Sequence, residues 1–88
     1  MEPSTDAAVD PLYELAAEVS RSHLPDVRER RRIREGARVS LRRGARALEV
    51  GPMTLLRWER GEAEPTFEHA LRYRAFLDAL KEAVRDGV

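Results

Sequence analysis

The side chains best suited to do chemistry in this sequence are arginines. Fifteen of its sixteen Lys and Arg residues are arginine, whose planar fork of donors matches a phosphate or the edge of guanine. Their distribution says more than their number. Residues 1–26 hold one Arg against six acids, a net of −5, and residues 27–60 hold eleven against four, a net of +7. Residues 61–88 hold four basic groups against six acids, a net of −2. The formal net charge of zero therefore conceals a basic centre between acidic ends, and a basic centre attracts a polyanion. Within it, the run from Ser40 to Gly61 reads as two short helices joined by a tight turn. On the second helix Leu55 and Trp58, three apart, share one face, while Met53, Arg57 and Arg60 fall on the opposite one. The first face is suited to a core and the second to a reading surface.

Other chemistries find little footing. His23 and His69 lie far apart, each without a second ligand-type residue at helical spacing, so no metal site is expected and His69 reads as a surface or cap residue. Glu62 and Glu64 flank a turn as solvated charges. There is no Gly-rich phosphate loop and no nucleophile beside a base, so neither an enzyme, a cofactor nor a small-molecule ligand is expected. The absence of cysteine excludes disulfides and thiolate catalysis and fits a reducing compartment. No run approaches the roughly 18 apolar residues of a membrane span, and the acidic start is unlike a secretory signal. The expectation is a soluble cytoplasmic protein that does not engage membranes.

The elements that would position these arginines follow from caps and periodicity. Residues 1–9 have no period and read as a disordered tail, followed by one domain over residues 10–88. Asp10-Pro11 sets an N-cap and a first-turn proline, and Leu12, Leu15, Ala16 and Val19 predict a helix over about 11–22. Pro25 interrupts it. Asp26 opens a second helix running to about Ala37, with Val27, Arg30, Ile33 and Arg34 on one side. Ser40 caps a third at 41–48. Glu49, Val50 and Gly51 form a turn, Pro52 starts the fourth helix and Gly61 ends it in a left-handed conformation. Pro65-Thr66 opens a long last helix to about Arg85, with Phe67, Leu71, Tyr73, Phe76, Leu77, Leu80 and Val84 as its apolar positions. No strand and no repeat is evident. The expected architecture is an all-α bundle of about five helices.

These residues resemble the phage-repressor, or xenobiotic-response-element (XRE), type of helix-turn-helix domain over roughly Leu24 to Leu80, with the motif itself at about 40–61. Arg57-Trp58-Glu59-Arg60-Gly61 with Pro65 following is similar to the family's "W-E-x-G…P" ending of the recognition helix. Arg34-Glu35-Gly36-Ala37-Arg38-Val39-Ser40 is similar to its "R-E-x-A-G-L-S" entry. Leu24-Pro25 before an arginine-rich helix resembles versions from actinobacterial chromosomes and their phages. The resemblance implies that the second motif helix enters a DNA major groove. Pro52, Met53, Leu56 and Arg57 match its base-contacting positions: Arg57 for guanine O6 and N7, Met53 and Leu56 for a thymine methyl. The start of the third helix, with Leu41, Arg42 and Arg43, suits backbone phosphates, and Arg60 joins that set. The resemblance also implies a pair between Arg34 and Glu59, which together with Ile33, Ala45, Leu48, Val50, Leu55 and Trp58 form the expected structural core. Ala45 is small where the two helices cross, and Trp58 is the largest apolar anchor.

Two positions depart from the pattern. Gly44 stands where the family has Leu, which predicts lost packing and about 1 kcal/mol of lost helix propensity. Glu49 stands where the family has Gly in the turn, which predicts strain or a slightly remodelled turn. The function implied is a sequence-specific double-stranded DNA-binding transcriptional regulator, a repressor occupying an operator. The alternative is a protein-interaction module, an antitoxin or adaptor, that uses the fold without reading DNA. On the last helix, Phe67 and Leu71 are expected to cover Trp58, leaving Tyr73, Phe76 and Leu80 as a seam between two copies. The N-terminal helix, through Leu12, Leu15 and Val19, is the intramolecular alternative to cover that seam.

Overall fold

A computed structural model describes residues 10–87; the tail expected at 1–9 lies outside them. Five helices follow in order: α1 (Pro11–Ser22), α2 (Val27–Gly36), α3 (Leu41–Leu48), α4 (Pro52–Arg60) and α5 (Phe67–Gly87). No strand occurs among the described residues. Each of the first three starts on a side-chain cap that satisfies an otherwise orphaned N–H. The Asp10 carboxylate accepts from Leu12 N at 2.9 Å, Asp26 from Arg28 N at 3.2 Å, and the Ser40 hydroxyl from Arg43 N at 3.1 Å.

Helices α2, α3 and α4 end alike. In each, one residue takes a left-handed conformation, Arg38 (φ 60°), Glu49 (φ 60°) and Gly61 (φ 72°). The next N–H then reaches back five residues: Val39 N to Arg34 O, Val50 N to Ala45 O and Glu62 N to Arg57 O, at 3.2, 3.0 and 2.9 Å. This 6→1 closure turns the chain sharply while satisfying the last carbonyls. Only Gly61 announces it by residue type. The turn at Glu49 is therefore formed without glycine, by a non-glycine residue held in the left-handed region. Arg72 of α5 braces it, donating to Ala47 O at 3.4 Å and lying 3.5 Å from the Glu49 carboxylate.

The core gathers where α3, α4 and α5 meet, with Leu55, Tyr73 and Leu77 fully buried and Ala45, Leu48 and Trp58 nearly so. The stripe of α5 that seals it is Ala70, Tyr73 and Leu77, spaced three and four apart. This corrects the expectation for the last helix. Leu71 points to solvent, whereas Tyr73 is fully buried, its ring centroid 5.1 Å from that of Trp58. The half-buried Phe76 packs on the same core. Tyr73 is thus unavailable as a seam between copies, and of the three expected residues Leu80 alone lines an open groove.

Phe76 also explains Gly44. A Cβ on Gly44 would lie 3.3 Å from the Phe76 ring and 3.2 Å from Leu55, so the room a larger side chain would need is taken from across the core. Packing at this position is supplied by α5 rather than lost.

Helix α1 docks beside the start of α5 with the face opposite to the one expected. Tyr13 meets Phe67 edge-on at 6.5 Å, Ala17 is buried, and Arg21 donates to Pro65 O at 3.2 Å while pairing with Glu64. Leu12, Leu15 and Val19 point outward, being 76%, 58% and 49% exposed. They cannot cover Tyr73, Phe76 and Leu80. One face of a single helix serves the bundle, and the other remains uncovered.

Candidate nucleic-acid interface

Positions 3.6 residues apart share a helix face, and α4 is divided sharply by that rule. Leu55, Trp58 and Glu59 are buried; Pro52, Met53, Arg57 and Arg60 are exposed; Thr54 and Leu56 are half-buried. The inward face is held on several sides. The Trp58 ring packs at a tilt against Tyr73 and, with centroids 5.5 Å apart, against His69. Arg30 of α2 donates to Trp58 O at 3.1 Å and to Pro25 O at 2.9 Å, with its guanidinium 6.0 Å above the Tyr73 ring. Arg34 grips Glu59 with both fork nitrogens, Nη2 to Oε1 at 3.0 Å, and uses Nη1 for Val39 O at 2.8 Å. That hydrogen bond to Glu59 raises the Arg34 pKa against the opposing effect of burial. Burial pushes the neighbouring Tyr73 hydroxyl up as well. A buried, bidentate pair fixes geometry more reliably than it adds net stability. Here it locks α4 to α2 and to the loop that leads into α3.

The remaining arginines sort by partner. Arg30 and Arg34 are consumed internally. Arg31 pairs with Glu35 at 2.8 Å, holding that carboxyl below the usual range, and Arg60 lies 3.9 Å from Glu62. Arg28, Arg38, Arg42, Arg43, Arg46 and Arg57 are exposed and have no carboxylate at ion-pair distance among the described residues. Four of them, Arg38, Arg42, Arg43 and Arg46, lie on α3 or in the turn leading into it.

At the start of α3, Ser40 satisfies Arg43 N, leaving the first N–H groups of the helix directed outward with its positive dipole end. The Leu41 side chain is half-buried against the core, so the part of Leu41 that suits a phosphate is its backbone N–H. At the start of α4, Gly51 contributes no side-chain cap and Pro52 has no N–H. The exposed apolar surface there comes from Met53, 57% exposed.

Arg38 and Arg46 were not singled out from the sequence. The signal for Arg46 is helical phase: it falls on the outer face shared with Arg42 and Arg43, while Gly44, Ala45 and Leu48 turn inward. Arg38 lies in the turn before α3, where no periodicity marks it. Arg72 was missed because its role, bracing the motif turn, depends on a contact 23 residues away in sequence.

The helix-turn-helix family matches residues 31–82 of this chain, from the middle of α2 to near the end of α5. The chain belongs to the XRE-type helix-turn-helix family. No curated protein and no solved structure matches it. The family is one of DNA-binding regulatory domains rather than of enzymes, and α3 and α4 both lie within the matched residues. No described helix of this helix-turn-helix protein is long and apolar enough to cross a membrane. Helix α1 lies wholly outside the matched residues.

Proposed function

We propose that this helix-turn-helix protein is a sequence-specific transcriptional repressor that reads double-stranded DNA through α4 and occupies an operator. The observation that carries the reading is the division of α4. Its inner face is fixed by Trp58 and the Arg34–Glu59 pair, and its outer face presents Met53 and an unpaired Arg57. Rigid backing with free polar and apolar groups outward is what recognition of base edges requires. Arg57 takes a guanine through O6 and N7. Met53, with the half-buried Leu56, offers apolar contact to a thymine methyl, and Pro52 shapes the approach. Arg42, Arg43 and the N–H groups at the start of α3 hold phosphates, assisted by Arg38, Arg46 and Arg60.

Selection of bound duplexes from a random pool tests the assignment. Arg57→Ala should cost roughly 1–3 kcal/mol on the preferred site and relax one base pair of the selected sequence. Arg42→Ala or Arg43→Ala should weaken all sequences about equally. An unchanged preference in Arg57→Ala would remove α4's outer face from the reading role.

A further inference from the structure

Two apolar surfaces of this protein remain without a partner, and their shapes and charges differ. One is convex: the outward stripe of α1, Leu12, Leu15 and Val19, spaced three and four apart as in a helix that lies in a groove. No charged side chain interrupts it, and Glu18 borders it beside Leu15. The other is concave: a groove of about 380 Å³ between α2 and the last turns of α5. Ile33, Leu80 and Val84 form its floor, and Gly36 opens its wall, with no atom within 4 Å of where a Cβ would stand. Its charged lining is Arg32, Lys81 and Arg85 with one acid, Glu29; of these cations Arg32 and Lys81 have no carboxylate at ion-pair distance among the described residues.

We infer that α1 of one copy seats its Leu12–Leu15–Val19 stripe in the α2–α5 groove of a second copy, and that the exchange is reciprocal. Three observations favour a second copy as the occupant. The ridge and the groove are both apolar and both present on every molecule. The charges are complementary: α1 carries Glu14 and Glu18 against Arg21, and the groove's lining carries Arg32, Lys81 and Arg85 against Glu29. A chain's own α1 cannot fill its own groove, because Tyr13 and Arg21 anchor it to Phe67 and Pro65. Leu80 is thirteen residues further along α5, about 20 Å at 1.5 Å per residue. A reciprocal exchange closes as a two-fold pair, buries both ridges in both grooves and leaves no free end. The inference does not rest on the DNA-reading assignment.

Sedimentation without DNA, at sub-millimolar protein, tests it. The wild type should have the mass of two chains. Leu15→Glu and Val84→Glu should each give a monomer with unchanged helical circular dichroism, since both side chains are exposed. Leu15→Glu keeps an intact groove and Val84→Glu an intact ridge. An equimolar mixture should therefore regain the two-chain mass through one restored contact. Glu18→Lys should weaken the pair by about two- to five-fold, the range of an exposed ion pair. A monomeric wild type would overturn the proposal, as would an assembly larger than two chains. So would a Val84→Glu variant that stays dimeric, which would place the contact between the two α1 ridges or elsewhere, or a mixture that fails to associate. A monomer that still binds duplex DNA with steep salt dependence would overturn this inference alone.

Discussion

The motif formed by α3 and α4 and the outer part built from α1 and the end of α5 differ in what they turn to solvent. In the motif, the apolar side chains Ala45, Leu48, Leu55 and Trp58 are buried; apart from Met53, what faces solvent without an ion-pair partner among the described residues is charge: Arg42, Arg43, Arg46 and Arg57. In the outer part many charges are paired, Arg21 with Glu64, Arg74 with Asp78 and Arg85 with Glu82. That part also turns large apolar side chains to solvent: Leu12, Leu15, Val19 and Val84. Unpaired cations on a rigid face draw a polyanion over several ångströms, with a strength that salt controls. Unpaired apolar stripes need close, shaped contact and respond little to salt. One small chain thus carries two surfaces that different partners can satisfy independently.

That contrast depends on the motif being fixed from within, and the strongest way to break it is to remove the anchor. Trp58→Ala deletes a nearly buried aromatic that touches α5, and it should cost about 3–5 kcal/mol. This is a large share of the roughly 5 kcal/mol expected of a domain this small. Thermal or urea unfolding reads it, and a midpoint within a few degrees of wild type would show that the inner face of α4 does not carry the core.

Glu59→Gln comes next. It leaves the buried Arg34 guanidinium with a weaker partner, and breaking a buried pair from one side costs up to about 3–5 kcal/mol. Replacing both residues by apolar ones of similar size, Arg34→Met with Glu59→Leu, should recover much of that loss. The double replacement should nevertheless loosen the loop at Val39 that Arg34 holds. Amide hydrogen exchange at Val39 and Ser40 separates orientation from stability: faster exchange in a stable double variant is the expected result.

Gly44→Leu is expected to cost about 1–3 kcal/mol, because the new side chain must displace the Phe76 ring. The same change made together with Phe76→Ala should cost less than the sum of the two single changes. Additive effects would mean that Gly44 and Phe76 do not share one space.

Helix positions and the two faces of α4 were legible from the sequence because they depend on local signals: Asp10, Asp26 and Ser40 as caps, prolines at helix starts, and the spacing of Leu55 and Trp58. The choice of stripe on α5 was not. Phe67, Leu71, Tyr73 and Phe76 form two adjacent apolar stripes, and the buried one is settled by Ala70, whose small side chain carries almost no hydrophobic signal but permits close approach. The left-handed ends at Arg38 and Glu49 were equally silent, since neither residue type advertises positive φ. They are held by chain closure across α2 and α3, and at Glu49 by Arg72 as well. The outward turn of Leu12, Leu15 and Val19 was hidden for a different reason. An amphipathic pattern shows that a face is apolar, not that the apolar face is the one facing the bundle.

Binding of duplex DNA by the arginine face is read from the affinity for a selected duplex measured across a range of salt concentrations. Each phosphate neutralised contributes about −0.9 to the slope of log affinity against log salt. Contacts from Arg42, Arg43 and at least one of Arg38, Arg46 or Arg60 predict a slope of roughly −3 or steeper, reduced by about 1 in Arg43→Ala. A slope near zero, unchanged in Arg43→Ala, would contradict the account.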